Sequence, residues 1–490
     1  MKITFSNLGT IKKTSLDLRP LTVIIGPNNS SKTYVAYAIY GLLKSLPAAF
    51  VTAIEANEIP WRKVKGSVHL KINDELVGVL NQRLQLAAGA LLREIDVFFQ
   101  DTSEKLFART RLEISVDVAD IVAMIKDLVE DFRPRRDISF GNGTVSIQVF
   151  EGENAASFVG AFVTHLGRAI ALARPFVLPA ERNAFVISYR VLANRRYKLM
   201  KEIQQLTLFG HSPDDDEEGS GGGFMPSARR GYGDAKAANA RAPHAATNRQ
   251  SRIHRSRDQG GVQYPKPVED FLDFLTDVEI EDNLDAGGDA PFSLLADCIE
   301  QSIQSSNKIS FEPTATGGRK LKVNVKEGLS IDLYNASSSI KQLAPLILYL
   351  RHRASSGDFL IIDEPEMNLH PEAQAKLLEI LGMVVNLGVR VLLTTHSPYL
   401  MTHLNNITAG DTSRPAALKR QASSLYLKDA RAFLPLSDVS AYEMKGNELH
   451  SLKDDDYGIR WDTLSDVSVD LQQRYFEIDE KGRSHRVKTA

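Results

Sequence analysis

The sequence predicts an α/β fold with a mixed sheet, interrupted by a helical insertion or arm. Three observations predict it. A short apolar run, Leu21–Ile25, leads through GPNNSSKT into a helical pattern. A second apolar run, at 359–362, ends in two acids, Asp363 and Glu364. Between the two, about 210–262 carries hardly any apolar periodicity. Short apolar runs of this kind read as strands buried on both faces, the pattern of parallel sheets.

The elements follow in order. Residues 1–25 read as strands: 1–8 alternates, a turn falls around Gly9, and Leu21–Ile25 is apolar. Residues 34–46 read as helix. Residues 70–130 read as mostly amphipathic helix, clearest at 75–100. A β-like patch at 138–150 is broken by Gly141, Asn142 and Gly143. Helix follows at 155–173, a short strand at 176–178, and helix again at 184–206. Residues 211–223 (HSPDDDEEGSGGG) are acidic and glycine-rich, and 225–260 carries scattered Arg, Ala, Asn and Gly. Such a stretch buries too little apolar surface to offset its ordering entropy, so about 210–262 reads as a disordered or mobile insertion. Helix resumes at 268–274. Helix, interruption and helix fit either a projecting arm or two core-packed helices joined by a loop. After 308 come strands at 309–312, 321–325 and 329–333, helix at 339–353, strand at 359–362, helix at 371–381 and strand at 389–394. A strand-like segment at 424–427 and a helical pattern at 463–475 complete the chain. The expected divisions are 1–183, 184–276 and 277–490.

The chain has 490 residues, of which 43% are apolar and 24% charged, a composition that can bury a sizeable core. At about 100–200 residues per domain it holds two to four units. The formal net charge of −2 gives no global attraction to nucleic acid or anionic lipid. Cys298 is the one cysteine, so no intrachain disulfide forms. It lies in a helical pattern and reads as a small buried hydrophobe. MKITFSNLGTIKK lacks the apolar stretch of a signal peptide, and no run approaches the roughly 20 apolar residues of a membrane span. The expected location is cytoplasmic, with no membrane partner.

Gly26, Pro27, Asn28, Asn29, Ser30, Ser31, Lys32 and Thr33 follow a buried strand and open a helix, the context a phosphate-binding P-loop requires. Main-chain N–H groups of such a loop wrap phosphates, and the helix N-terminus adds a favourable dipole. Lys32 would reach the β- and γ-phosphates of ATP, and the Thr33 hydroxyl would ligate Mg²⁺. The pattern G-x-x-x-x-G-K-[ST] expects glycine where this chain has Ser31, a departure expected to slow turnover. Asp363 would hold Mg²⁺ through water, and Glu364 would polarise the attacking water as general base. A strand ending in solvated acids is common; Asp-Glu-Pro in a chain that also carries a P-loop favours the catalytic reading. His396, one strand later in THSP, would sit beside the γ-phosphate and register it. Ser337, Ser338 and Ser339 enter a helix within NASSSIKQL, where they serve as an N-cap and as an anion cradle.

Together these segments resemble the ABC-type ATPases related to SMC, RecF and OLD proteins, and more narrowly the AAA family ATPases of bacterial anti-phage systems of the PARIS and Septu types. The opening strands and P-loop, IDEPEMNLHP (362–371) and THSPYLMTHL (395–404) carry the resemblance. PAERN (179–183) also looks like a recurring family segment, with no chemical role assigned. Ser338 matches the family's signature serine, and Ser339 stands where the family has glycine. The resemblance covers roughly 1–50, 175–190 and 308–470. It implies an ABC-type P-loop ATPase head with a shared site, in which one subunit provides the P-loop and Walker B acids and the other the signature serines. A dimer or higher even-numbered oligomer of the chain with itself follows.

In OLD proteins a Toprim nuclease follows the ATPase, with a strand-end Glu and a later Asp-x-Asp. The candidates here, Glu443 and Asp454, Asp455 and Asp456, lie too close together for the intervening βα unit. No nuclease centre is expected in this chain. The leading expectation is an ATPase scaffold that controls a separate nuclease or toxin effector. The alternative is an ATPase of the RecF kind acting directly on DNA. Arg229, Arg230, Arg241, Arg249, Arg252, Arg255 and Arg257 would then form a DNA-binding segment, or else keep a mobile loop soluble. A third reading, an inactive nucleotide-binding structural protein, rests on Ser31 and Ser339. The intact Lys32, Thr33, Asp363 and Glu364 oppose it.

Overall fold

The computed structural model describes residues 1–49, 56–103, 105–132, 137–149, 154–171, 174–192, 264–280, 289–313, 319–326, 328–454, 458–460, 469–470, 472–476 and 478. The chain divides into two units, one of Met1–Ile187 with Pro265–Ala490 and one of Ser188–Tyr264. In the second unit the described residues are 188–192, which are helical, and 264. The expected insertion at about 210–262, its arginines, and Asp455 and Asp456 lie outside the described residues.

The first unit opens with β1 (Lys2–Leu8), β2 (Ile11–Asp17), β3 (Leu21–Ile25) and α1 (Lys32–Ala49). Then come β4 (Trp61–Val64), β5 (Ser67–Lys71), α2 (Asp74–Arg93), α3 (Ile95–Phe99), β6 (Arg111–Ser115) and α4 (Val118–Phe132). β7 (Ile138–Gly141), β8 (Thr144–Gln148), α5 (Ala155–Ala171) and β9 (Pro175–Leu178) follow. After the second unit the chain continues with α6 (Lys266–Ile280), α7 (Ala290–Ser302), β10 (Lys308–Pro313), β11 (Arg319–Lys326), β12 (Leu329–Asp332) and α8 (Ser338–His352). β13 (Phe359–Asp363), α9 (Pro371–Asn386), β14 (Arg390–Thr395), α10 (Pro398–Thr408), α11 (Pro415–Gln421), β15 (Val439–Lys445) and β16 (Glu448–Ser451) complete the main elements.

The central sheet has the order β16-β15-β3-β14-β13-β9. Its pairings are parallel except for the edge strand β16, so the sheet is mixed. Every residue of β3 and β13 is buried, as apolar runs in a parallel sheet require. Helix α1 packs against β9, β13 and β14. The register is what builds the site. Ile25 pairs with Thr395, and Asp363 pairs with Thr394. The carboxyl ends of β3, β13 and β14 therefore lie side by side, the edge at which open α/β sheets bind ligands. Among the described residues, three antiparallel sheets in the orders β2-β1-β6, β4-β5-β8-β7 and β10-β11-β12, and a two-stranded antiparallel pair of Lys453–Asp454 with Gly458–Ile459, complete the unit.

One expectation from the sequence is refined and one corrected. The stretch 70–130 is mostly helix, in α2, α3 and α4, but β6 interrupts it and pairs with β1. Its five residues alternate exposed and buried, a short period-2 signal between longer helical ones. The segment 424–427 is not a strand. The main-chain N–H groups of Tyr426 and Leu427 donate to the fully buried Glu379 carboxylate instead of to a ladder. Cys298 is half-buried. Among the described residues, no helix is long and apolar enough to cross a membrane.

Candidate functional site

The phosphate loop leaves the buried end of β3 at Gly26. A Cβ there would lie 2.9 Å from Cβ of Met444 on β15, so the close approach of β15 demands glycine. Asn29 and Ser31 hold left-handed backbone angles, φ 60° and 67°. Glycine adopts that conformation without cost, which is why the motif places it where Ser31 stands. Ser31 Oγ lies 2.7 Å from Thr10 Oγ1, on the turn joining β1 and β2. Lys32 opens α1 with its side chain buried. Its Nζ donates to the carbonyls of Gly26 (3.1 Å) and Pro27 (2.9 Å). Burial lowers its pKa, while the carboxylates of Glu364, Asp363 and Glu366 oppose that shift.

The opposite wall comes from the ends of β13 and β14. Thr33 Oγ1 donates to Asp363 Oδ2 at 2.8 Å, and Thr394 Oγ1 donates to Asp363 Oδ1. Burial raises the pKa of Asp363, and these two hydroxyls offset part of the rise. Glu364 is left-handed, φ 49°, and its N–H donates to Thr394 O at 3.0 Å. His396 Nε2 lies 2.5 Å from Glu364 Oε1, and Nδ1 lies 2.9 Å from Gly26 O. Nε2 faces the Glu364 carboxylate, whereas Nδ1 faces both the Gly26 carbonyl and, at 3.3 Å, the Lys32 ammonium, which only donates. The bond to Glu364 raises the His396 pKa above its usual value, and the same bond lowers that of Glu364. Glu366 Oε1 fixes the loop by accepting from His396 N at 2.6 Å and from Thr395 Oγ1 at 2.8 Å. Thr10, Asn28, Asn29, Ser30, Ser31, Lys32, Thr33, Tyr34, Glu364 and His396 line one cavity of about 640 Å³. That volume falls in the range of small-molecule sites.

With this geometry in view, the comparison with known proteins narrows the class. Residues 176–402 match an AAA domain. The family is described as "AAA domain, putative AbiEii toxin, Type IV TA system". The match takes in β9, α8, β13 and β14, but not the P-loop. No curated protein matches the chain. Among solved structures, the Smc head bound to the C-winged helix domain of ScpA is 10% identical, with 92% of this chain and 96% of that one covered and a TM-score of 0.33. An Smc head domain with an extended coiled coil, bound to the C-terminal domain of ScpA derived from Pyrococcus furiosus, is 11% identical, with 92% and 95% covered and a TM-score of 0.31. At these scores the likeness is remote.

Of the residues singled out in the sequence, the structure brings the P-loop together with Asp363, Glu364 and His396. It leaves the three serines outside that cavity. Ser337 caps α8 by accepting from Ile340 N at 3.4 Å, and its Oγ lies 2.9 Å from Ser339 Oγ. Ser337 and Ser338 are exposed and Ser339 is half-buried.

The donor set suits Mg²⁺. Thr33 Oγ1 and Asp363 Oδ2 are hard oxygen donors 2.8 Å apart. Among the described residues no group of three or more His, Cys, Asp or Glu could hold a metal. Mg²⁺ takes one or two protein oxygens and fills its octahedron with phosphate oxygens and water.

Sequence reasoning gave no role to Arg182, Glu366 or Thr394, all of which hold the catalytic candidates in place. The usable signal for Arg182 was its place in PAERN, an arginine directly after an apolar strand. Glu366 had a like signal in its place in IDEPEMNLHP, whereas Thr394 offered none, since its partner is set by the β13–β14 register.

Proposed function

We propose that this chain is an ABC-type ATPase that binds ATP with Mg²⁺, hydrolyses it and self-associates to complete the reaction site. The observation that carries this reading is the convergence of Lys32, Thr33, Glu364 and His396 on one cavity at the carboxyl ends of three parallel strands, with Asp363 bonded directly behind Thr33. The similarity of 176–402 to an AAA domain supports ATPase activity.

In this reading the loop N–H groups and Lys32 hold the β- and γ-phosphates. Mg²⁺ held by Thr33 and Asp363 would neutralise charge on the phosphates. Glu364 accepts the proton of the attacking water. It does so once its carboxylate is released from His396, and a phosphate drawing the imidazolium away is the natural trigger. Exposed Ser337 and Ser338 at the start of α8 lie away from the cavity and suit the nucleotide of a second copy. The output belongs to a separate effector, a nuclease or toxin, in bacterial anti-phage defence. The matched family's description names a toxin of a type IV toxin–antitoxin system, which supports a toxin-related setting.

The test uses complementation. Wild-type chain should hydrolyse ATP, while Ser338→Arg and Lys32→Ala should each fail alone. Mixed, they should recover part of the activity, because one composite site then has an intact loop and intact serines. No recovery in mixed oligomers shown to form would mean the site is completed within one chain.

A further inference from the structure

Arg182 stands first among the largest fully buried side chains of the described residues, and it does not line the cavity. It follows β9 and opens a helical turn. Its bonds run to main-chain carbonyls from three parts of the chain. Nη1 donates to Pro179 O at 2.9 Å and to Asp363 O at 2.7 Å. Nη2 donates to Glu364 O at 3.1 Å, and Nε donates to Gln342 O at 3.1 Å. With the Gln342 amide assigned oxygen-inward, Oε1 accepts from Nη2 at 2.6 Å. One guanidinium thus ties the turn after β9 to the acid end of β13 and to the second turn of α8. The first turn of α8 carries Ser337, Ser338 and Ser339.

Glu364 needs such a clamp. A non-glycine residue at φ 49° costs about 1–2 kcal/mol and persists only where its surroundings impose it. Thr394 O holds the amide side of Glu364, and Arg182 holds the carbonyl side. Burial pushes the Arg182 pKa down to about 10, so the group stays a cation at neutral pH beside Asp363, Glu366 and Glu364.

We infer that Arg182 is a positioning residue: it keeps Glu364 in its left-handed conformation and links it to α8, so that displacement of the serine-bearing end of α8 re-aims the Glu364 carboxylate. The inference rests on the reading of Glu364 as general base. It gives that reading a route by which engagement of the serines by a second copy reaches the chemistry. The fork geometry matters, because a lysine keeps the charge but presents one nitrogen and cannot serve all of these carbonyls at once.

The experiment compares wild type, Arg182→Lys and Gln342→Met. It measures kcat for ATP hydrolysis, Kd for a fluorescent ATP analogue with Mg²⁺, and Tm. A base displaced by about 1 Å costs on the order of 100-fold in rate. Arg182→Lys should therefore lose about 10- to 100-fold in kcat while Kd stays at the wild-type value. Gln342→Met keeps Arg182 and loosens only its tie to α8, and should lower kcat less, again with Kd unchanged. A purely structural role would instead lower Tm and nucleotide binding together. Wild-type kcat in Arg182→Lys overturns the inference, as does a fall in kcat that only tracks lost binding. If Arg182→Lys does not fold, Gln342→Met decides: lowered kcat at constant Kd supports the inference, and unchanged kcat overturns it. A wild-type chain that binds ATP but never hydrolyses it would overturn the ATPase reading, and this inference with it.

Discussion

The two walls of the cavity are built by different means. The P-loop is local: residues 26–33 carry its glycine, its lysine, its threonine and its two left-handed positions within eight consecutive residues. The acid wall is assembled at long range. Glu364 takes its conformation from Thr394 and Arg182, 30 and 182 positions away, and His396 takes its loop from Glu366. Local construction makes a wall recognisable from sequence and tolerant of one imperfect residue, such as Ser31. Long-range construction makes a wall that fails when a distant supporting residue changes.

The sharpest way to break the comparison is at the centre of the local wall. Lys32→Ala removes the loop's own cation from the phosphate site. A charge-assisted hydrogen bond is worth about 1.5–3 kcal/mol, so ATP affinity should fall about 10- to 100-fold in equilibrium binding. Affinity within error of wild type would mean that the nucleotide does not sit on this loop.

Gly26→Ala tests where local construction meets the sheet. The added Cβ would press on Met444 Cβ at 2.9 Å and on Met444 O at 3.1 Å. Overpacking of this kind costs about 1–3 kcal/mol, to be read from the denaturation midpoint. An unchanged midpoint would show that β15 yields.

The acid wall should reveal itself through pH. The raised His396 pKa contributes stability that is fully present below the usual 6.5 and is lost as pH rises through the raised value. The lowered Glu364 pKa contributes stability present above the usual 4.5 and lost as pH falls through the lowered value. The pair therefore stabilises most between those limits. His396→Ala should lose Tm chiefly in that window and approach wild type at alkaline pH. The effect should be about 1 kcal/mol or less for a partly exposed pair. A deficit that is flat from pH 5 to 9 would remove the ion pair from the account.

The smallest effect is expected at Ser31. Ser31→Gly relieves a left-handed serine, worth about 1 kcal/mol. It also loses the Thr10 contact, worth about 0.5–1.5 kcal/mol. Stability should hardly move, and turnover should not fall. A loss beyond about 1 kcal/mol would show that the Thr10 contact, rather than loop backbone, shapes this wall.

What was legible follows the same division. The runs Leu21–Ile25 and 359–362 declared buried parallel strands because both faces are covered, and both strands pair with β14 in the structure. The P-loop was readable because its chemistry is contiguous. Arg182 was visible only as part of a segment without a role, since its meaning lies in carbonyls contributed by β13 and α8. The strand β6 was missed because five alternating residues carry little signal between two helices. The segment 424–427 misled because its apolar residues suggested a ladder, whereas a buried carboxylate on α9 satisfies its N–H groups.

The central claim is that the two walls form one hydrolytic site with Glu364 as its base. Glu364→Gln keeps the side chain's size and one oxygen acceptor but cannot take a proton. The direct measurement is ATP turnover by this variant beside its nucleotide affinity. Affinity should hold while turnover falls by about 10²- to 10⁴-fold, the contribution of a positioned general base. Turnover equal to wild type, at equal affinity, would contradict the claim.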